Sequence, residues 1–372
     1  MSNFIFRVIQ YPKKWESISN IYQNIFNACL AKKSSCSPFY HPIFLNAAQK
    51  LPKPQQPTQI VIGTKEGKPV FALPIKSRSL FLGKSIMEIW GGPGFDYLEP
   101  LDASSGNLAT KVFLELGLHE LNISLLIGKN VNKEFANLGL AKKYSWAQRS
   151  FRCPYLPLPT NEKYLLYGEI SSGFRKSIRQ IQRKVKENNI RFRIITEADG
   201  ARALENALGN LFSLHEARAE DVGRQSKFIQ NSTQHFYIKI CHQAMNWPGV
   251  VHFFELFDGD RVVSSLFGYL VEDRFLFFQS GFNPDYADFS PGTLTIYKSM
   301  CYLVQQGAKE FDFLRGADEY KFRWTSKSRE IFLMTIGEGI AGLSQMNIFR
   351  IRRAMHRYGR LTGLRKWLKN ED

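Results

Sequence analysis

A short stretch late in the chain brings together residue types that do chemistry. Ser290-Pro291-Gly292-Thr293 precede an apolar run at helical spacing, Leu294, Tyr297, Met300, Cys301 and Val304. That places them at a helix N-terminus, where open backbone N–H groups and the positive dipole end suit a phosphate. Gly292 lets the backbone approach a ligand closely, and Pro291 fits a helix start without losing a needed N–H. Ser290, Gly292 and Thr293 are therefore candidates to hold a diphosphate, with an ordinary helix cap as the plainer alternative. Further on, Asp312 lies between Phe311 and Phe313, on the opposite strand face from both. Desolvation there raises a carboxyl toward a useful base. Tyr320 is a candidate proton donor, and Lys321 and Arg323 are candidates to bind an acceptor phosphate or carboxylate. An ion pair of Asp312 with Lys321 or Arg315 is the structural alternative.

The elements around these residues read as follows. Val250–Phe257, Arg261–Val271 and Arg274–Ser280 form a meander, its first turn the strong hairpin signal Asp258-Gly259. A Gly/Pro/Asp loop leads into the helix, Gly307 caps its end, and Glu310–Leu314 is a short strand. Strand, crossover helix and strand make a parallel pair. Arg315–Arg323 reads as a polar loop. Upstream, Ala201–Ala219 is a helix that puts His215 and Arg218 at i, i+3 beside a polar loop; a lone histidine on an apolar face also reads as a core residue. Phe174–Lys186 is a basic amphipathic helix.

The first half repeats this order. Ile86–Trp90 is a strand, Gly91-Gly92-Pro93-Gly94-Phe95-Asp96-Tyr97 a loop, Ser105–Leu118 a helix and Ile123–Ile127 a strand. Asp96-Tyr97 sits where Asp285-Tyr286 sits later, which points to a degenerate duplication. The proline-rich Cys153–Thr160 reads as the boundary. Asn347–Lys369 interleaves arginines and lysines with large apolar residues, as an interfacial or docked helix does.

The run SGFNPDYADFSPG, a helix, FDFLRG and then EYKFRW resembles the acetyltransferase-like domain of CelD (BcsL)-type proteins of the GNAT superfamily, related to FemAB peptidyltransferases. The resemblance covers roughly Phe174–Ile336 well and the first half loosely. It implies an α/β fold of two tandem GNAT-like units, mixed sheets with flanking helices, in which the parallel strands splay apart and an acyl-pantetheine arm lies in the V. It implies an acyltransferase with acyl-CoA (acetyl-CoA) as donor, and it places His215 and Arg218 near the acceptor. The expected roles are then Asp312, His215 and Tyr320 catalytic; Ser290, Gly292 and Thr293 for the donor; Arg218, Lys321 and Arg323 for the acceptor. The family's Gly-rich coenzyme A signature is incomplete here, which leaves room for an aminoacyl-tRNA donor.

The bulk composition bounds the partners. Fifty Lys and Arg against 33 Asp and Glu give a net charge of +17, which favours polyanions such as coenzyme phosphates, RNA or an anionic membrane face. The five cysteines form no C-x-x-C pair and have no histidine at ligand spacing, so reduced core thiols and no metal are expected. No P-loop, H-E-x-x-H or serine-elbow motif occurs, no apolar run reaches membrane-span length, and the start lacks signal-peptide character. The sequence thus predicts a cytoplasmic enzyme whose last helix either packs on the protein or makes peripheral contact with the inner membrane face. Its parts are a degenerate unit at 1–155, an active unit at 156–340 and a basic helix at 341–372. The predicted activity is acyl transfer to an amine or hydroxyl of a small-molecule or sugar-linked cell-envelope or polysaccharide precursor. The alternatives are a FemAB-like transferase using tRNA, and a non-enzymatic accessory protein of a polysaccharide synthase.

Overall fold

The computed structural model describes residues 3–32, 37–80, 83–221, 228 and 230–362. The first unit begins with β1 (Phe4–Gln10), α1 (Trp15–Ala31), α2 (Pro42–Ala48) and the strands β2 (Gln59–Lys65), β3 (Lys68–Ser79) and β4 (Ser85–Ile89). A two-residue strand β5 (Leu101–Asp102), the helix α3 (108–120), β6 (Ile123–Asn132), α4 (Lys133–Leu140) and β7 (Ser145–Pro157) complete it. The second unit follows the same plan after an added helix, α5 (Ser172–Glu187). It runs β8 (Arg191–Ile195), α6 (Ala201–Asp221), α7 (Asn231–Gln243), β9 (Val251–Asp258), β10 (Arg261–Val271) and β11 (Arg274–Phe282). Then come α8 (Pro291–Gln305), β12 (Glu310–Asp312), the one-turn α9 (Glu319–Phe322), β13 (Ser328–Gly337) and α10 (Gly339–Thr362). The expected two tandem GNAT-like units are present, each with a strand pair bridged by one crossover helix: β4 parallel to β6, and β11 parallel to β12.

One sheet runs through both units in the order β1-β2-β3-β4-β6-β13-β7-β12-β11-β10-β9-β8. The last strands are exchanged. β13, from the second unit, pairs antiparallel with β6 of the first, and β7, from the first, pairs with β12 of the second. The two exchanged strands lie side by side, with Ser328–Ile336 against Ser145–Pro154. The proline-rich stretch expected to be a boundary is therefore mostly strand, and the 155/156 limit falls inside β7. Pro154 sits where β7 leaves β13 and begins pairing with β12, a position that tolerates a missing ladder N–H. An aromatic core continues beneath both units, from Phe39, Phe44 and Phe95 in the first to Phe236, Phe267 and Tyr269 in the second.

Two local features open the second unit's parallel pair. β11 and β12 are in register at Arg274/Glu310, Phe275/Phe311 and Leu276/Asp312, and no further. The register of β11 on β10 shifts between Phe267 and Gly268, a bulge that leaves Phe278 extra and bends the strand. Beyond Asp312 the chain turns through Leu314 at φ 54° and crosses to β7, where Phe313 N–H bonds Pro154 O at 2.9 Å and Gly316 N–H bonds Arg152 O at 3.1 Å. Phe277–Ser280 are thus left with no β12 partner on that edge, and a cleft forms at the carboxyl end of the pair.

Candidate active site

The cleft is a cavity of 690 Å³ between the two units. Phe277–Ser280 and Phe313–Arg315 form its walls, Tyr320 and Lys321 enter from α9, and Gly91–Gly94 and Asp96 close it from the first unit.

The closing loop is held by packing. Phe95 lies against Phe39 and Phe44 at ring distances of 4.8 and 4.9 Å. Tyr237 on α7 donates to Pro93 O at 3.3 Å, and Asn130 donates to Phe95 O at 3.0 Å. Gly94, at φ 80°, passes so close to Phe278 that a Cβ would lie 2.7 Å from its ring. No side chain fits there without displacing the cavity wall. Tyr97 is itself left-handed at φ 55°, an uncommon backbone for a bulky residue. The turn sends Asp96 to one cavity and Tyr97 to the other side of the sheet.

Asp96 is fully buried. Its Oδ2 accepts the Arg315 N–H at 3.0 Å, while Oδ1 has no hydrogen bond among the described residues and lies 3.6 Å from the Arg315 guanidinium. Burial pushes the carboxyl up to about 6, against the opposing charge and amide of Arg315. Lys321 is 5% exposed. Its Nζ donates to Arg315 O at 2.8 Å and lies 3.4 Å from Asp318 Oδ2. Burial pulls its pKa down, with Asp318 opposing. Gly316, at φ 110°, leaves room for this ammonium, since a Cβ would sit 3.2 Å from Nζ. Tyr320 is 42% exposed, its ring 6.0 Å from the same Nζ. A base near neutrality, a weakened ammonium and a phenol therefore line one cavity beside a strand edge with no β12 partner.

The structure gathers some of the expected residues and separates others. Tyr320 and Lys321 line the cavity. His215 sits just behind it, its ring nitrogen 3.3 Å from Ser280 O and its ring against Phe228. The Arg218 side chain and the loop at 222–227 lie outside the described residues. Arg323 is on the far side of α9, its guanidinium 4.1 Å from the Phe174 ring. Residues two apart on one helical turn point in different directions, so the expected pairing of Lys321 with Arg323 does not occur.

Asp312 requires a correction. It is fully buried and faces away from the cavity. It accepts from Tyr97 Oη at 2.9 and 3.0 Å, from Leu314 N–H at 2.8 Å and from Arg329 Nη1 at 3.2 Å. Tyr97, Arg274, Glu310 and Arg329 in turn line a separate cavity of 1330 Å³. Its ion-pair partner is Arg329 of the exchanged strand β13, not Lys321 or Arg315. Ser290, Gly292 and Thr293 do start helix α8, but they do not line the 690 Å³ cavity. Ser290 is left-handed and makes no side-chain cap. Pro291 has no N–H, and the Thr293 and Leu294 amides both turn back to Ser290 O, at 3.0 and 3.3 Å, so few donors remain for a diphosphate. Asp96 is the residue that sequence reasoning missed. Its signal was the Asp-Tyr pair shared with the second unit.

Comparison with known proteins bears on the fold of this region. Residues 172–322 match the family model described as an acetyltransferase (GNAT) domain. This segment contains β11, α8, β12, Arg315, Tyr320 and Lys321. Among solved structures, FemX superposes with a TM-score of 0.57 at 10% identity, covering 85% of this chain and 95% of that one. A conserved protein of unknown function from Bacteroides thetaiotaomicron superposes with a TM-score of 0.54 at 10% identity, covering 91% of this chain and 100% of that one. At such identities the likeness is one of fold. No curated protein matches the sequence.

Proposed function

We propose that this protein is an acyltransferase that moves an acyl group from an activated carrier to an amine or hydroxyl within the 690 Å³ cavity. The observation that carries the reading is that Asp96, from the first unit, and Lys321, from the second, line one cavity. Asp96 takes a proton from the acceptor as its nitrogen or oxygen attacks the acyl carbonyl. The Lys321 ammonium faces the charge that develops on the carbonyl oxygen or the leaving group. The carbon–sulfur or carbon–oxygen bond to the carrier then breaks, and Tyr320 returns a proton to the leaving atom. The open edge of Phe277–Ser280 offers backbone partners to an extended donor arm. The GNAT-domain match supports acyl-CoA as donor. The motif SGFNPDYADFSPG, with its CelD-type resemblance, supports an acceptor on a polysaccharide or cell-envelope precursor.

A second donor is favoured by one observation. The start of α8 keeps few free amides, whereas the chain carries a net charge of +17. That combination suits an aminoacyl-tRNA, bound across a basic surface rather than in a diphosphate cradle. Incubation with radiolabelled acetyl-CoA or with charged tRNA, each with an amine acceptor, separates the two. Transfer from one donor that is lost in Asp96→Asn and Lys321→Met supports the reading. Absence of transfer and of binding with both donors would overturn it.

A further inference from the structure

The last helix, α10, has two apolar faces and packs with only one. Leu343, Met346 and Phe349 close over Ile86, Leu125 and Leu333 of the sheet. Ile340, Ile348, Ile351 and Met355 are 83, 41, 58 and 48% exposed. At roughly 100° per residue these four fall within an arc of about 80°, on the side opposite the packed face. A helix resting on a protein in water normally carries polar residues there. Arg352 borders this stripe on one side, and Arg350 sits beside the packed face, 5.6 Å from the Trp146 ring. From Gly339 to Asn370 the sequence contains eight Arg and Lys and no Asp or Glu. No helix among the described residues is long and apolar enough to cross a membrane.

We infer that α10 lies flat in the surface of an anionic phospholipid bilayer. Ile340, Ile348, Ile351 and Met355 enter the acyl region, and the arginines meet the headgroup phosphates. Charge decides between occupants. A second copy docked on this stripe would bring together two strongly cationic helices with no acidic residue to offset them. A nucleic acid would satisfy the arginines and leave four apolar side chains in water. An anionic bilayer satisfies both sets.

The test uses the full chain and sedimentation with vesicles of phosphatidylglycerol and phosphatidylcholine, or of phosphatidylcholine alone. Binding is expected to the anionic vesicles only, and to weaken as salt rises. Replacing Arg350, Arg352 and Arg353 by Gln should lower the partition coefficient by about fivefold for each charge, about a hundredfold together. Ile348→Glu with Ile351→Glu should abolish binding and leave the melting temperature unchanged, because both side chains lie outside the core. Should that pair lower the melting temperature, the arginine triple carries the test alone. Equal binding to both vesicle types, or to neither, would overturn the inference. So would a dimer in light scattering that the same pair of changes dissolves, or vesicle binding that RNA displaces and the glutamates leave untouched.

Discussion

The two units carry the same dipeptide after their central strand and use it in opposite ways. In the second unit Asp285 is 70% exposed and pairs with Arg261 at 3.1 Å, and Tyr286 donates to Asp258 at 2.8 Å on the surface. In the first unit Asp96 and Tyr97 are buried, one facing Arg315 and the other bonded to Asp312, both more than 200 residues away. The clefts differ in step. The second unit's parallel pair opens into the cavity. The first unit's is plugged by its own loop, with Trp90 fully buried, its indole donating to Gln55 O at 2.9 Å, and packed on Phe95. The first unit has therefore exchanged a cleft of its own for a wall in its neighbour's, and that wall carries the buried Asp96. A fold repeated in tandem can divide labour in this way, because each copy is free to lose what the other keeps.

The largest expected effect tests that division directly. Asp96→Asn should lower transfer about a thousandfold, whereas Asp285→Asn should leave it within about twofold. With Asp96 as base, the wild-type rate should climb as pH rises through about 6, where the carboxyl loses its proton. The stability effect runs the other way. A carboxyl raised from 3.8 to about 6 on folding stabilises the protein only while protonated, and that stability is lost as pH rises between those values. The ionised group then costs roughly 3 kcal/mol at neutral pH. Asp96→Asn should therefore melt no lower than wild type at pH 7. Equal losses in the two asparagine variants, or a collapse in melting temperature, would dissolve the comparison.

Asp312, the partner of Tyr97, gives the next largest change, in stability instead of rate. Asp312→Asn removes the charge opposite Arg329 and one acceptor for Tyr97. Denaturant titration should show a loss of about 3 kcal/mol, partly restored by Arg329→Met, with donor affinity unchanged. A rate defect without a stability defect would return Asp312 to the chemistry.

The glycines sharpen the contrast at smaller scale. Gly94→Ala forces a Cβ against Phe278 at a left-handed position and should cost about 2 kcal/mol. At Gly292 a Cβ meets only Phe282, at 3.7 Å, so Gly292→Ala should change stability by less than about 1 kcal/mol. Calorimetry with coenzyme A on Gly292→Val then asks whether that helix start has any part in donor binding; unchanged affinity would exclude it.

The smallest effect concerns the exchanged strands. Glu169 accepts from Ser326 N–H at 3.0 Å and from the Thr325 and Ser326 hydroxyls, fastening the turn that begins β13. The Ser326 amide first, then the Lys327 ammonium and the hydroxyls, hold its pKa down to about 2. Stability from this group is complete above the unfolded value of 4.5 and disappears as pH falls toward 2. Glu169→Gln should flatten the melting-temperature profile in that window and lower it slightly at pH 7. An unchanged profile would mean that the turn holds without it.

Much of this was legible before the fold was known, where local rules suffice. The Asp258-Gly259 turn, the Ser-Pro-Gly-Thr helix start and the Gly307 cap gave the β10–β11–α8–β12 unit with ends a few residues off. Tyr320 and Lys321 were singled out by their side-chain chemistry in the polar stretch after β12, and both line the cleft. What failed was whatever depended on the other unit. Alternation along β12 correctly set Asp312 opposite Phe311 and Phe313, but the side that faces the cleft is decided by Arg329, on a strand borrowed across the sheet. Prolines 154 and 157 read as a linker because local propensity has no term for a strand that changes partners at a proline. Asp96 was passed over because a Gly-rich loop looks solvent-exposed until a second domain is packed against it.

The strand exchange also has a consequence for how the protein is made. β6 emerges from the ribosome about two hundred residues before β13, its partner across Ile331–Gly337. Throughout that interval the nascent first sheet has an unsatisfied edge, the kind of surface that recruits chaperones or pairs with the wrong chain. Closure of one half must wait for synthesis of the other, so neither matures as an independent folding unit. The strands paired in that closure, β6 and β13, are preceded in the chain by the segments that line the cavity with Asp96 and Lys321, so sheet closure and cavity formation go together.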